Sequence, residues 1–169
     1  MGLRSNKNKA YKVWKSMMTR CYHRHVHTHH PKYKDVKVCE SWRDFNNFEI
    51  WFHDNYILGF SLDKDLLGDG KLYSPENCCF LPIELNTFIN KKFRADKLLG
   101  VKYRPNNRFQ SRVYYKGKEE VLGTFGSEEE AHKKYLKRKI EIVNMEADKY
   151  EEILSEKVIR KLRHLYKIK

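Results

Sequence analysis

Residues 100–135 read GVKYRPNNRFQSRVYYKGKEEVLGTFGSEEEAHKKY, and the two periods within them decide the fold. Val101, Tyr103, Phe109, Val113 and Tyr115 take odd positions, whereas Lys102, Arg104, Asn106, Arg108, Gln110, Arg112 and Tyr114 take even ones. Strand side chains alternate between faces, so period two with a turn at 105–107 predicts two strands with one basic, hydrogen-bonding face. A second turn at 116–118 leads to a third strand over 121–125. Ser127 followed by Glu130 is a capping box, and Leu136, Ile140 and Val143 at i, i+4 and i+7 mark the helix it opens. Three strands and one helix make a small domain over 98–150.

Upstream, Trp14, Met17, Met18 and Cys21 form the stripe of an amphipathic helix over 8–22, and Trp42, Phe45, Phe48 and Phe52 form another over 42–54. Between them HRHVHTHHPKYKDVKVCE breaks helical period and predicts a His-rich loop, then a short strand where Val36 and Val38 alternate with Lys37. Phe60 and Leu62 alternate with Ser61 and Asp63, Gly68 to Gly70 read as a turn, and 79–81 read as a second strand. Pro82 suits the first turn of a helix that carries Leu85, Phe88 and Ile89 towards Asn90. The polar run KKFRADK supplies a hinge, set at 93–97. Downstream, KVIRKLRHLYKIK carries Val158, Leu162 and Leu165 at helical spacing and predicts a basic amphipathic tail helix within 151–169.

With 169 residues, the chain has room for one domain or two small ones. The 35 Lys and Arg against 22 Asp and Glu give a formal charge of +13, which attracts polyanions. Both parts are basic: 15 cations to 10 acids up to Lys92, and 20 to 12 beyond it. No acid lies between Lys97 and Lys118, and Lys102, Arg104, Arg108 and Arg112 share one strand face with Gln110 and Tyr114. Such a face suits a duplex, with phosphate neutralisation giving affinity and Arg or Gln reading base edges; the competing reading is a solvated face that keeps the protein soluble. The longest run without Asp, Glu, Lys or Arg is 55–62, against about 20 apolar residues for a membrane span, so no membrane partner is expected. The N-terminal residues lack the apolar core of a signal peptide, which implies a cytoplasmic chain with reduced thiols. Four cysteines without a CxxC pair predict no disulfide framework.

Two stretches resemble known families. The GV start at Gly100 and Val101, the run Leu122, Gly123, Thr124 and Phe125, and Glu129, Glu130 and Ala131 with Tyr135 resemble the Apetala-two or ethylene-response-factor DNA-binding domain. That family lays its sheet in the major groove, and the resemblance implies contacts from Lys102, Arg104, Asn106, Arg108, Arg112 and Tyr114. Asn106 and Val121 stand where plant members carry tryptophans, so their sequence preference does not transfer. W-x-x-M-x-x-R-C-Y at 14–22, V-C-x-x-W at 38–42 and S-P-E-N-C at 74–78 are similar to phage-borne HNH homing endonucleases. This implies an α+β chain: a ββα-metal core with flanking helices over 1–92, then the three-stranded antiparallel sheet on one helix, then the tail. It also implies a phage protein acting in a bacterial cytoplasm, with double-stranded DNA as partner and no small-molecule substrate.

By position in that motif, Asp63 and Asn86 would hold one Mg²⁺ or Mn²⁺, with Asn77 pinning the loop. A hard cation takes oxygen ligands and stabilises the leaving oxygen of a phosphodiester. The general base, normally a His, falls on Lys64, and an unshifted Lys is neutral at pH 7 only to about one part in 10³. A nearby metal would push the Lys64 pKa down, or Asp65 or a loop His would take over as base. The plainer reading is that Asp63 caps a turn and both Asn satisfy backbone groups, leaving a fold that binds DNA without cutting it. His23, His25, His27, His29 and His30 with Cys21 and Cys39 offer structural Zn²⁺ ligands, but without the usual spacing a solvated polar loop is the stronger reading.

Overall fold

The structure is a computed structural model describing residues 3–91 and 98–166. The hinge expected at 93–97 and the last three residues of the tail lie outside the described residues. Helices and three small sheets give an α+β chain that divides into two compact units, Met1–Ile83 and Glu84–Lys169. Among the described residues no helix is long and apolar enough to cross a membrane.

The first unit opens with α1 (Leu3–Tyr22), which buries Ala10, Met17 and Cys21 while Trp14 and Met18 flank them half-buried. The His-rich segment is not a loop. His23 is extended, and Arg24–His29 then form a short helix, α2, that buries no residue and ends before Pro31. Nothing between 24 and 29 breaks a helix, so local hydrogen bonds close it without an apolar stripe to announce it. Next come β1 (Lys37–Val38), a 3-10 turn (Glu40–Arg43) and α3 (Phe45–Asn55). The single helix expected over 42–54 is interrupted because the Asp44 carboxylate accepts from the Asn46 N–H at 2.9 Å and starts a new helix. Trp42, Phe48 and Phe52 are nonetheless all buried, with Trp42 edge-on to Phe48 at 5.0 Å, and the Trp14 indole N–H donates to the Trp42 carbonyl at 2.7 Å. This aromatic block is the core of the unit.

β2 (Phe60–Asp63) pairs antiparallel with β4 (Cys79–Pro82), setting Asp63 opposite Cys79. β3 (Leu72–Tyr73) pairs parallel with β1 through two residues, too short a run for period two to reveal. Cys78 and Cys79 are both buried, Cys78 in the tight turn after Ser74 and Cys79 at the start of β4. Directly after β4 comes α4 (Ile83–Ile89), whose Leu85, Phe88 and Ile89 are buried as their spacing requires.

In the second unit β5 (Val101–Arg104), β6 (Arg108–Tyr115) and β7 (Lys118–Phe125) form one antiparallel sheet in that order. The β6–β7 turn is Lys116 and Gly117, both at positive φ (48° and 76°), the two-residue geometry that matches strand twist. This lets β7 begin at Lys118, earlier than hydrophobicity suggests. α5 (Glu128–Lys149) is opened by the Ser127 hydroxyl, which accepts from the Glu130 N–H at 3.2 Å. Its buried face is Ala131, Tyr135, Ile142, Val143 and Ala147, with Leu136 and Ile140 only half-buried. That face is rotated from the expected stripe because Tyr135 must lie over Gly100: a Cβ there would come within 2.1 Å of the ring, and φ is +78°. α6 (Glu156–Arg163) packs on α5 and buries Val158, Ile159 and Leu162, so the tail's apolar stripe is covered within its own unit.

Candidate functional site

Cross-strand partners share a face, so the register assigns sides. Lys102 lies opposite Gln110, Arg104 opposite Arg108, Gln110 opposite Thr124, Arg112 opposite Val121 and Tyr114 opposite Glu119. This is the outer face. The other face, with Val113 and Ser111 buried and Glu120 bonded to Arg138 of α5, looks towards the helix. Six of the seven candidate binding residues (Lys102, Arg104, Arg108, Gln110, Arg112 and Tyr114) therefore occupy one surface. Asn106 does not: it sits in the β5–β6 turn at φ 59°, exposed, because the strand ends at Arg104.

Each arginine on that surface is held by one acceptor. The Arg104 Nη2–H donates to Gln110 Oε1 at 2.6 Å and its Nε–H to the same oxygen at 3.2 Å. Arg108 donates to the Thr124 carbonyl at 3.1 Å, and Arg112 pairs with Glu119 at 2.8 Å. Only the last is an ion pair, and both of its members are substantially exposed, so water weakens it. Sequence reading missed Glu119 on this face because its side depends on the hairpin register and on the irregularity between Ser111 and Arg112.

The loop after β2 is built differently. Asp63, 3% exposed, accepts from the backbone N–H groups of Asp65 (3.0 Å) and Leu66 (2.8 Å) through Oδ1. Its turn-capping role is therefore real. Lys64 is also buried, at 7% exposed; its ammonium donates to Asp65 Oδ1 at 2.9 Å and lies 5.6 Å above the Tyr73 ring and 6.0 Å above the Tyr33 ring. Burial raises the Tyr73 phenol well above its ordinary value, leaving it a neutral ring for cations, and the Arg20 guanidinium donates to its hydroxyl at 3.1 Å. Gly70, at φ +76°, packs on Asp65, where a Cβ would approach Oδ1 to 2.3 Å. Asn77 packs against Gly68, and its amide donates to the Leu72 carbonyl at 3.4 Å, bracing the same loop. Asn86, on α4 in the second unit, accepts from the Asn90 amide at 2.6 Å.

Of the two thiols that the zinc reading names, Cys21 is buried and Cys39 is half-buried with its Sγ 3.4 Å from the Ser41 hydroxyl oxygen. Cys21 is 2% exposed, and burial pushes its pKa up to about 11, the nearby Arg20 and Lys64 charges offsetting this only in part. Among the described residues no three His, Cys, Asp or Glu side chains converge as a metal-ligand group. Sequence reading also missed Lys139, which is 2% exposed with its ammonium over Tyr166 (4.7 Å) and Phe88 (5.2 Å); burial first, then the Lys91 charge, lowers its pKa to about 8. Comparison with protein-family models, curated proteins and solved structures returns no significant match.

Proposed function

We propose that this chain binds double-stranded DNA through the outer face of β5–β7, as a protein of the HNH type with an Apetala-two-like sheet. The observation that carries the reading is the gathering of Lys102, Arg104, Arg108 and Arg112 with Gln110 and Tyr114 on one exposed surface. Cations at that density neutralise phosphates, and guanidinium and amide groups match base edges in the major groove. The expected signature is affinity that falls steeply with salt. Binding of a labelled duplex measured between 50 and roughly 200 mM salt should drop by at least about tenfold, given a slope near −0.9 per phosphate neutralised; a flat profile would point to a non-nucleic-acid partner.

On the same reading, the ββα order from β2 through β4 to α4 is the HNH-like core, and the chemistry is hydrolysis of a phosphodiester. By the HNH resemblance Asp63 would be the carboxylate donor and Asn86 the amide donor to Mg²⁺ or Mn²⁺, which prefer oxygen ligands, and Asn77 braces the loop that carries Asp63. A bound divalent ion would stabilise charge on the leaving oxygen. One observation favours a second reading, DNA binding without cleavage: Lys64 stands in the position of the base with its ammonium engaged by Asp65. Supercoiled plasmid with Mg²⁺ separates the two. Nicking by the native chain, lost in Asp63→Asn and Asn86→Ala, supports the enzyme; binding without nicking supports the second reading. Asp63→Asn is chosen because its remaining oxygen can still cap the loop.

A further inference from the structure

We propose that His25 and His29 form a two-imidazole site for a divalent transition-metal ion, Cu²⁺ foremost, with water completing the coordination. The two residues lie at i and i+4 on α2, hence on the same face one turn apart. Their rings stack with centroids 4.1 Å apart and planes 29° from parallel, and both side chains are exposed. His29 Nδ1 lies 2.9 Å from the His25 carbonyl oxygen. A carbonyl only accepts, so Nδ1 carries the hydrogen, and in the neutral ring the lone pair is on Nε2. This is the arrangement by which a backbone carbonyl fixes the tautomer of a ligating His.

The neighbouring imidazoles are placed otherwise. His27 is half-buried and turned to α1, with Nε2 3.2 Å from the Arg20 carbonyl. His23 precedes the helix, its ring 6.4 Å from that of His25, and His30 follows the helix. The pair offers imidazole nitrogen donors, which suit borderline metals, with Cu²⁺ bound more tightly than Ni²⁺ or Zn²⁺. Because α2 is six residues long and buries none of them, a chelate across its single turn would also stabilise a helix that is marginal alone. The site is independent of the proposed hydrolysis, since Mg²⁺ takes oxygen ligands.

The test is a titration of the full chain, first stripped with a chelator, with Cu²⁺, read by calorimetry and by paramagnetic broadening of imidazole proton signals. One equivalent should bind, broadening the signals of His25 and His29 most strongly. His25→Ala and His29→Ala should each weaken binding by at least about tenfold, as loss of a group that holds or orients a metal does, whereas His23→Ala and His30→Ala should leave it unchanged. Unaltered affinity in the His25→Ala/His29→Ala double variant, broadening centred on other histidines, or no stoichiometric binding would overturn the assignment. The broadening is read on the native chain, so it does not depend on how any variant folds.

Discussion

The outer face of the β5–β7 sheet and the loop after β2 both place cations beside acceptors, yet they treat the charge in opposite ways. On the sheet, Arg104, Arg108 and Arg112 lie at the surface, each tethered to a single acceptor on the same face. In the loop, Lys64 is taken out of water, given one carboxylate and two aromatic rings, and surrounded by backbone that only Gly70 permits to approach so closely. A surface pair contributes little to stability and is easily exchanged for a phosphate; a buried ammonium is tied to its partner by the cost of leaving it uncompensated. The sheet therefore holds charge available for a ligand, and the loop holds charge committed to its own architecture.

The largest expected effect tests the first half of that contrast. Replacing Arg104, Arg108 and Arg112 together by Ala should lower duplex affinity by more than about a hundredfold, at about 1–3 kcal/mol for a base contact and less for a phosphate contact. Thermal unfolding should shift little, because none of the three is buried. A variant that binds as tightly as the native chain in fluorescence anisotropy would remove the sheet from the reading.

The second half is tested by Asp65→Asn. Removing the more exposed partner should cost about 3 kcal/mol in chemical denaturation, because the buried Lys64 ammonium is left without its anion. Lys64→Met should cost less, since Asp65 is 37% exposed at its side chain and water can take over its solvation. The reverse order would mean that Lys64 is not the buried member whose compensation matters.

Lys139 sharpens the contrast as a buried cation with aromatic rings around it and a lowered pKa of about 8. Below pH 8 the lysine is charged in both folded and unfolded chains, and the folded state carries the burial penalty. Between about 8 and its ordinary 10.5 this residue binds more protons in the unfolded chain, so its contribution to stability should rise with pH across that window. The full span amounts to about 3 kcal/mol, at 1.36 kcal/mol for each unit. Cys21 and Cys78, raised by burial, act in the opposite direction from about pH 9, and Tyr115 and Tyr166 do so above pH 10, so the Lys139 contribution is read as the difference between the native chain and Lys139→Met over pH 8–10.5. Lys139→Met should stabilise the chain at pH 7, and its advantage over the native chain should shrink as pH rises from 8 to 10.5; an advantage that stays constant would assign the pH dependence to other groups.

How legible these features were depended on the scale of the signal that carried them. The sheet was plain in the sequence because β6 is eight residues long and alternates without interruption, and because the Ser127 box marks the helix start. The two-residue β3 and the six-residue α2 are too short to show a period, whereas β1 was marked by Val36 and Val38 alternating with Lys37. Asp63 and Asn77 were selected by their position in the HNH-like motif, and what such a position cannot convey is that Asp63 caps two N–H groups while Lys64 turns inward to Asp65. A charged residue between two acids looks solvated in a sequence. Lys139 fell on the buried side of α5 because Tyr135 and Gly100 set the rotation of that helix, a contact between residues far apart in the chain.

The smallest expected effect concerns Glu119, the one acid among the described residues of the outer sheet face. Its carboxylate holds Arg112 at 2.8 Å, with the side chains 48% and 35% exposed. Glu119→Gln removes a repulsion for phosphate and frees the guanidinium, at the loss of a screened pair that contributes about 0.2–1 kcal/mol. Duplex affinity should therefore rise by about two- to fivefold at low salt, with the gain shrinking as the Debye length contracts from roughly 10 Å at 0.1 M, while unfolding moves by no more than about 0.5 kcal/mol. Arg112→Gln should do the reverse to affinity, and the double variant Arg112→Gln/Glu119→Gln should stay close to the Arg112→Gln value if Glu119 acts through Arg112, whereas a return towards the native value would mean that Glu119 acts directly on the backbone of the ligand. Anisotropy titrations of the four proteins at two salt concentrations give that coupling. A zero coupling energy would mean that the ion pair does not hold Arg112 in reserve.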